Sequence, residues 1–168
     1  MLLCLPLFAV LIIAVVPPVK PLLVPLSDNE FKDKWKGDAC LQSTASTCGP
    51  ASVATILRHF GINTTEQAIA RSAFSYEGGT EAWYLARYIR SCGLSPHFAF
   101  RPTFSPNAGQ PALVGVRIGR AGHFIAVLEV HNDQVTVADP LSGEVRMPLA
   151  KFKRLYEFTG FHMIILRP

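Results

Sequence analysis

Cysteine is scarce in this 168-residue chain: Cys4, Cys40, Cys48 and Cys92 are all there is, with no C-x-x-C pair and no paired histidines beside them. That spacing excludes the usual zinc frameworks. A disulfide framework is not what a domain of this size needs, although a single Cys40–Cys92 bridge stays open from sequence alone. Charge is sparse as well, at 17% of residues, and the net +4 is spread without a dense basic run. Scattered Lys and Arg of that kind read as a solvated surface, so nucleic acid is not expected as a partner. There is no Gly-x-x-x-x-Gly-Lys-Ser/Thr loop, which excludes a P-loop nucleotide site. Internal repeats and low-complexity tracts are absent too.

What the chain has in excess is apolar residues, 49% of the total, and much of that excess is N-terminal. Leu2 to Val16 carries no charged or strongly polar side chain, and Pro17-Pro18 interrupts the run. Counted through Val19, it would be roughly 27 Å long as a helix, just enough to cross a bilayer. A cleaved signal peptide would want a basic start and a small-residue cleavage site, and neither is evident. A buried core helix would be unusually uniform. An uncleaved membrane anchor fits best, and the truncated start of a longer membrane protein stays open. Lys20, Lys32, Lys34 and Lys36 follow the run, so the positive-inside rule favours the cytoplasmic side for the folded part. Residues 1–26 are thus expected to be an anchor or signal segment ending in the stiff Pro21–Pro25 linker. Residues 27–168 would be one domain of about 140 residues, opening on a charged, mobile-looking lead from Ser27 to Asp38.

Gln42-Ser-Thr-Ala-Ser-Thr-Cys48-Gly49-Pro50-Ala51 organises the rest. Pro50 suits a first helical position, and Val53, Ile56 and Leu57 recur at helical spacing, so a helix is predicted over about 49–60. Cys48 then lies where unpaired backbone N–H groups and the positive end of the helix dipole converge, which favours a thiolate. Gln42, on a polar loop upstream, can bring an amide N–H to the same point. A side-chain amide together with the nucleophile's own N–H makes an oxyanion hole. Cys40 has no helix start after it and reads as packing, as does Cys92 beside Gly93.

Thr64 or Thr65 can cap a second helix with Glu66 in its first turn and Ala68, Ile69 and Ala73 on its apolar face. Thr80 is expected to cap a third, carrying Trp83, Leu85, Ala86 and Ile89 and stopping at Gly93. From there the pattern turns to short strands: 98–100, 112–118, 123–130, 135–138, 144–147 and 161–166. Helices first and consecutive strands after is the α+β pattern, an antiparallel sheet packed on the helices and preceded by the hydrophobic segment.

A nucleophilic cysteine needs a base, and the base an orienting group. His59 falls some three turns from Cys48. His97 and His131 sit by Pro96 and a polar turn, where an exposed role is expected, and His162 has no acidic neighbour in sequence. His123 opens an apolar strand after the run Gly119-Arg-Ala-Gly122, so its ring can face a cleft at the end of the sheet. Asp139 closes the next strand. In a hairpin, an odd-numbered loop or an equivalent bulge makes Asp139 a same-face diagonal neighbour of His123, whereas a plain two-residue loop puts them on opposite faces. Asp133 reads as a solvated turn residue.

Gln-x5-Cys-Gly-Pro-Ala, then Gly-His-Phe-Ile-Ala-Val, then Val-Ala-Asp-Pro together resemble the C39 family of bacterial cysteine peptidases, in order over residues 38–168. The resemblance implies a papain-like fold and a cysteine endopeptidase needing no metal or cofactor. Its sites would be Cys48 as nucleophile, His123 as general base, Asp139 as orienter and Gln42 as oxyanion donor. Many members are N-terminal domains of ABC exporters that process double-glycine leader peptides. The implied partners are a peptide or protein substrate, the membrane through the N-terminal segment, and an ABC exporter encoded separately. Two other readings stay open: a catalytically silent peptide-binding domain, and a papain-like amidase or transglutaminase-type acyl transferase.

Overall fold

The structure, a computed structural model, describes residues 19–168. All of the apolar run but Val19 lies outside the described residues. Among the described residues no helix is long and apolar enough to cross a membrane.

Residues 19–23, where a stiff linker was expected to begin, are helical. Beyond them the described residues form eight strands and four α-helices, with a helical layer on a sheet. A small hairpin comes first, β1 (Lys34–Lys36) and β2 (Ala39–Leu41). The helices α1 (Cys48–His59), α2 (Glu66–Ser72) and α3 (Ala82–Ser91) follow. Then come β3 (Ser95–Phe100), β4 (Ala112–Ile118), β5 (Ala121–His131), β6 (Gln134–Asp139), β7 (Gly143–Pro148), α4 (Leu149–Leu155) and β8 (Glu157–Leu166). The main sheet has the order β3-β8-β4-β5-β6-β7, with every pair antiparallel.

Alternation along the strands sends side chains to two faces, and both are covered. Leu113, Ala126, Ala138, Met163 and Ile165 meet the helical layer, where Val53, Ile56, Leu57, Ile69, Leu85 and Ile89 are buried. Val114, Val116, Ile125, Val127, Val135 and Val137 face the other way, against Phe104 and Phe152 of α4. This second cover was not anticipated from the sequence: only Phe152 is buried in α4, too little for a helical stripe to register.

Several local expectations are corrected. The lead into the domain is ordered, with a capping-box turn at Asp28–Glu30 and the β1–β2 hairpin. In α2, capped by Thr65 Oγ1 accepting from Ala68 N–H at 3.1 Å, Ala70 is buried and Ala68 is exposed. Glu81 is the N-cap of α3 and Thr80 is not, and Trp83 points outward. Strand β3 starts three residues before the expected 98, through Pro96, which an edge strand tolerates because its missing N–H breaks no ladder. Cys40, Cys48 and Cys92 are free thiols, so the Cys40–Cys92 bridge is not formed.

The β5–β6 hairpin resolves the register question. His131 pairs with Gln134 across a two-residue loop, Asn132-Asp133, and both loop residues have positive φ (49° and 57°), as a type I′ turn requires. That loop alone would set His123 and Asp139 on opposite faces. Further along, however, Glu129 pairs with Thr136 and Val127 with Val137, so Leu128 is an extra residue in β5. The bulge restores the parity, and Asp139 returns to the face of His123.

Because Asp133 sits at φ 57°, Asp133→Val should cost ~1–2 kcal/mol in chemical denaturation, a β-branched side chain being strained there. Asp133→Gly should keep wild-type stability.

Candidate active site

Cys48 is the first residue of α1 and is half-buried. Its N-cap, Thr47, makes no side-chain capping hydrogen bond to the helix. The Thr47 hydroxyl is instead occupied by the preceding loop, accepting from Thr44 N–H at 3.0 Å and donating to Thr44 C=O at 3.1 Å. Pro50 brings no N–H, so the donors at this helix start are those of Cys48 and Gly49, with no side chain competing for them.

The second strand pair supplies the rest. His123 Nε2 donates to Asp139 Oδ1 at 2.9 Å, and both side chains are only 7% exposed. Asp139 Oδ1 also accepts from Leu141 N–H at 2.9 Å, and Oδ2 from the Tyr156 hydroxyl at 2.9 Å. The Cys48 sulfur lies close enough to the same ring to raise its pKa.

The charges follow from these contacts. Burial is the strongest single influence on Asp139 and opposes its ionisation, yet donation from His123, Leu141 N–H and Tyr156 together holds the carboxyl below its usual range. Burial likewise works against a charged His123, but the Asp139 hydrogen bond and the Cys48 sulfur outweigh it and push the imidazole up to about 9. Burial and the Asp139 charge push the Tyr156 phenol upward, so it stays a donor. Burial drives the Cys40 thiol up to about 12 and raises Cys92 as well.

Cys48 and His123 open onto one cleft of about 310 Å³, walled by Gly79, Gly115, Phe124 and Phe161. Gly115 is fixed by packing, since a Cβ there would lie 2.5 Å from Thr159 Oγ1 and 3.0 Å from Phe161 Cβ. Cys48, His123 and Asp139 are therefore brought together. Gln42 lies on the loop before α1 and is not among the residues walling this cleft. Its Nε2 donates to Thr44 C=O at 2.7 Å, and its Oε1 is buried without a partner.

The remaining histidines fall away from the site. His59, His97 and His131 are exposed. His162 is buried with Nε2 3.3 Å from Gly109 C=O, and burial, helped by the charge of Arg101, lowers its pKa. Tyr156 was missed by sequence reasoning. It lies 17 residues from Asp139, at the end of a helix that itself left no periodic signal, so no local pattern marks it.

If Asp139 raises the His123 pKa, the ring proton followed by NMR should titrate near 9 in the wild type and clearly lower in Asp139→Asn. The stability owed to the raised imidazole is complete below its ordinary pKa of about 6.5 and is lost as pH rises through about 9. Wild-type melting temperature should therefore fall over that window more steeply than that of Asp139→Asn.

The chain is similar to several known proteins. An uncharacterized protein of Methanothermobacter marburgensis is 32% identical over 126 residues, covering 75% of this chain and 86% of that protein. The lactococcin-G-processing and transport ATP-binding protein LagD of Lactococcus lactis is 28% identical over 71% of this chain, which spans only 17% of LagD. Among solved structures, a double glycine motif protease from an AMS/PCAT transporter, in complex with the leader peptide, superposes with a TM-score of 0.64 at 21% identity. The alignment covers 86% of this chain and 99% of that one. The peptidase domain of Streptococcus ComA gives 0.63 at 22%, covering 76% and 96%. The fold of helices on an antiparallel sheet is thus that of these peptidase domains. The model of the peptidase C39 family matches residues 36–167, and the chain belongs to that family.

Proposed function

We propose that the protein is a cysteine endopeptidase that hydrolyses peptide bonds through Cys48, His123 and Asp139, with Gln42 as oxyanion donor. The observation that carries this is the buried imidazole held by Asp139 and opening, together with Cys48, onto one cleft. An imidazole raised to about 9 is largely protonated at neutral pH, which supports a thiolate beside it. The thiolate attacks the substrate carbonyl carbon, and the oxyanion so formed accepts hydrogen bonds from the N–H of Cys48 and from Gln42. His123 then protonates the departing amine, leaving an acyl-thioester. Water, deprotonated by His123, attacks the thioester, and the carboxylate product and the thiol are released. Asp139 keeps the ring in one tautomer and orientation throughout. One Gln42 N–H is held by Thr44 C=O, and the amide has a second to offer.

For substrate, we propose a leader peptide or a small exported or membrane protein. Relatives described as a lactococcin-G-processing transporter and, in Pseudomonas aeruginosa, a probable functional amyloid protease support that class. The apolar run at residues 2–19 and the lysines after it support attachment to a membrane with the domain on the cytoplasmic side, near an exporter encoded separately.

Cys48→Ala should abolish cleavage of such a peptide, and Gln42→Ala should lower kcat by about 10²–10³ with little change in melting temperature. Iodoacetamide should modify Cys48 near neutral pH far faster than Cys40 or Cys92. Equal alkylation rates together with no cleavage would favour a silent peptide-binding domain, and acyl transfer to amines or side-chain amides without cleavage would favour an amidase or transglutaminase chemistry.

A further inference from the structure

Glu66 is a carboxylate with no solvent exposure at all. An acidic residue in the first turn of a helix ordinarily interacts with that helix's own N–H groups, but Thr65 already caps α2. Both Glu66 oxygens are turned instead to a single residue 23 positions earlier. Oε1 accepts from Ser43 N–H at 2.8 Å, and Oε2 accepts from the Ser43 hydroxyl. That hydroxyl in turn accepts from Lys32 N–H at 2.9 Å. Burying a carboxylate is costly unless such donors hold it, so the clamp is a built feature.

Ser43 follows Gln42, and the other side of Gln42 is fixed too: its N–H donates to the C=O of Pro140 at 2.9 Å, one residue after Asp139. The backbone at Gln42 is therefore held between the end of β6 and the start of α2. With the amide tied at one N–H to Thr44 C=O, the direction of its other N–H is set by this short stretch of loop. We infer that Glu66 is a positioning residue for the oxyanion side of the site, acting through Ser43 on the loop that carries Gln42. This rests on Gln42 being the oxyanion donor. Releasing the clamp leaves the nucleophile and its base alone, because Cys48 is fixed by α1 and His123 by β5. A displacement of about 1 Å at the amide is enough to lose most of its contribution.

Two probes applied to the full chain separate this from a general packing role. Iodoacetamide alkylation of Cys48 needs the thiolate and no oxyanion hole. The side-chain-free aldehyde N-acetylglycylglycinal adds to the same sulfur but places an oxygen at the oxyanion position. Glu66→Ala should weaken the aldehyde by ~10- to 100-fold and leave the alkylation rate within about twofold of wild type. Glu66→Gln, which keeps an acceptor for Ser43 N–H, should recover most of that loss, and Ser43→Ala should give a smaller selective loss. Unchanged aldehyde affinity in Glu66→Ala, or a parallel fall of both probes, would overturn the assignment. If Glu66→Ala does not fold, Ser43→Ala decides: wild-type affinity for the aldehyde overturns the assignment. Gln42→Ala serves as the control. A loss there without one in Glu66→Ala removes only the role of Glu66, whereas wild-type affinity in Gln42→Ala removes the oxyanion role of Gln42 and the inference with it.

Discussion

Asp139 keeps its negative charge with almost no water around it, and that is tolerable only because three donors converge on its two oxygens. Each donor comes from a different part of the chain: an imidazole from β5, a backbone N–H from the turn after β6, and a phenol from the end of α4. The same corner reaches across to the nucleophile side, where Pro140 C=O accepts from Gln42 N–H. The end of β6 thus ties the second cover of the sheet, the hairpin and the loop before α1 into one polar cluster. Removing a donor would leave a buried charge short of partners, which is more damaging than losing the hydrogen bond itself.

Position within the fold also sorts three chemically identical thiols. Cys40 is sealed in β2 against the helical core, where burial drives its pKa to about 12. Cys92 ends α3, at the wrong pole of a helix dipole for an anion. Cys48 begins α1 beside a cationic imidazole and an open cleft. Environment, and not residue type, separates the thiol that opens onto the cleft from the two that pack.

Much of this was legible in the sequence, and what was not has physical causes. The helix at Cys48 carries a helical period and the strand Ala112–Ile118 a continuous apolar run, so their limits are legible to within a residue. The resemblance named the same cysteine, histidine and aspartate that the structure gathers. Weak or absent stripes hid other elements: α4 buries one side chain, and β1 shows Lys34 and Lys36 to solvent around Trp35. The register carried the largest ambiguity. Asn132-Asp133 is a recognisable tight turn, but nothing in the residues 121–131 marks Leu128 as the extra one, because a bulge is a compromise among neighbouring strands. Glu66 could be read as a first-turn acid and no more, since its partner is set by tertiary packing. Tyr156 is invisible to local reasoning for the same cause.

The bulge at Leu128 has a bearing on how such a chain can change over time. A two-residue turn and one surplus residue in β5 together set the facing of everything beyond them, so their lengths are not independent. Losing the surplus residue would swing Asp139 through the sheet, and so would adding one to the turn, while both changes at once would cancel. Insertions and deletions in this hairpin should therefore be inherited in compensating pairs.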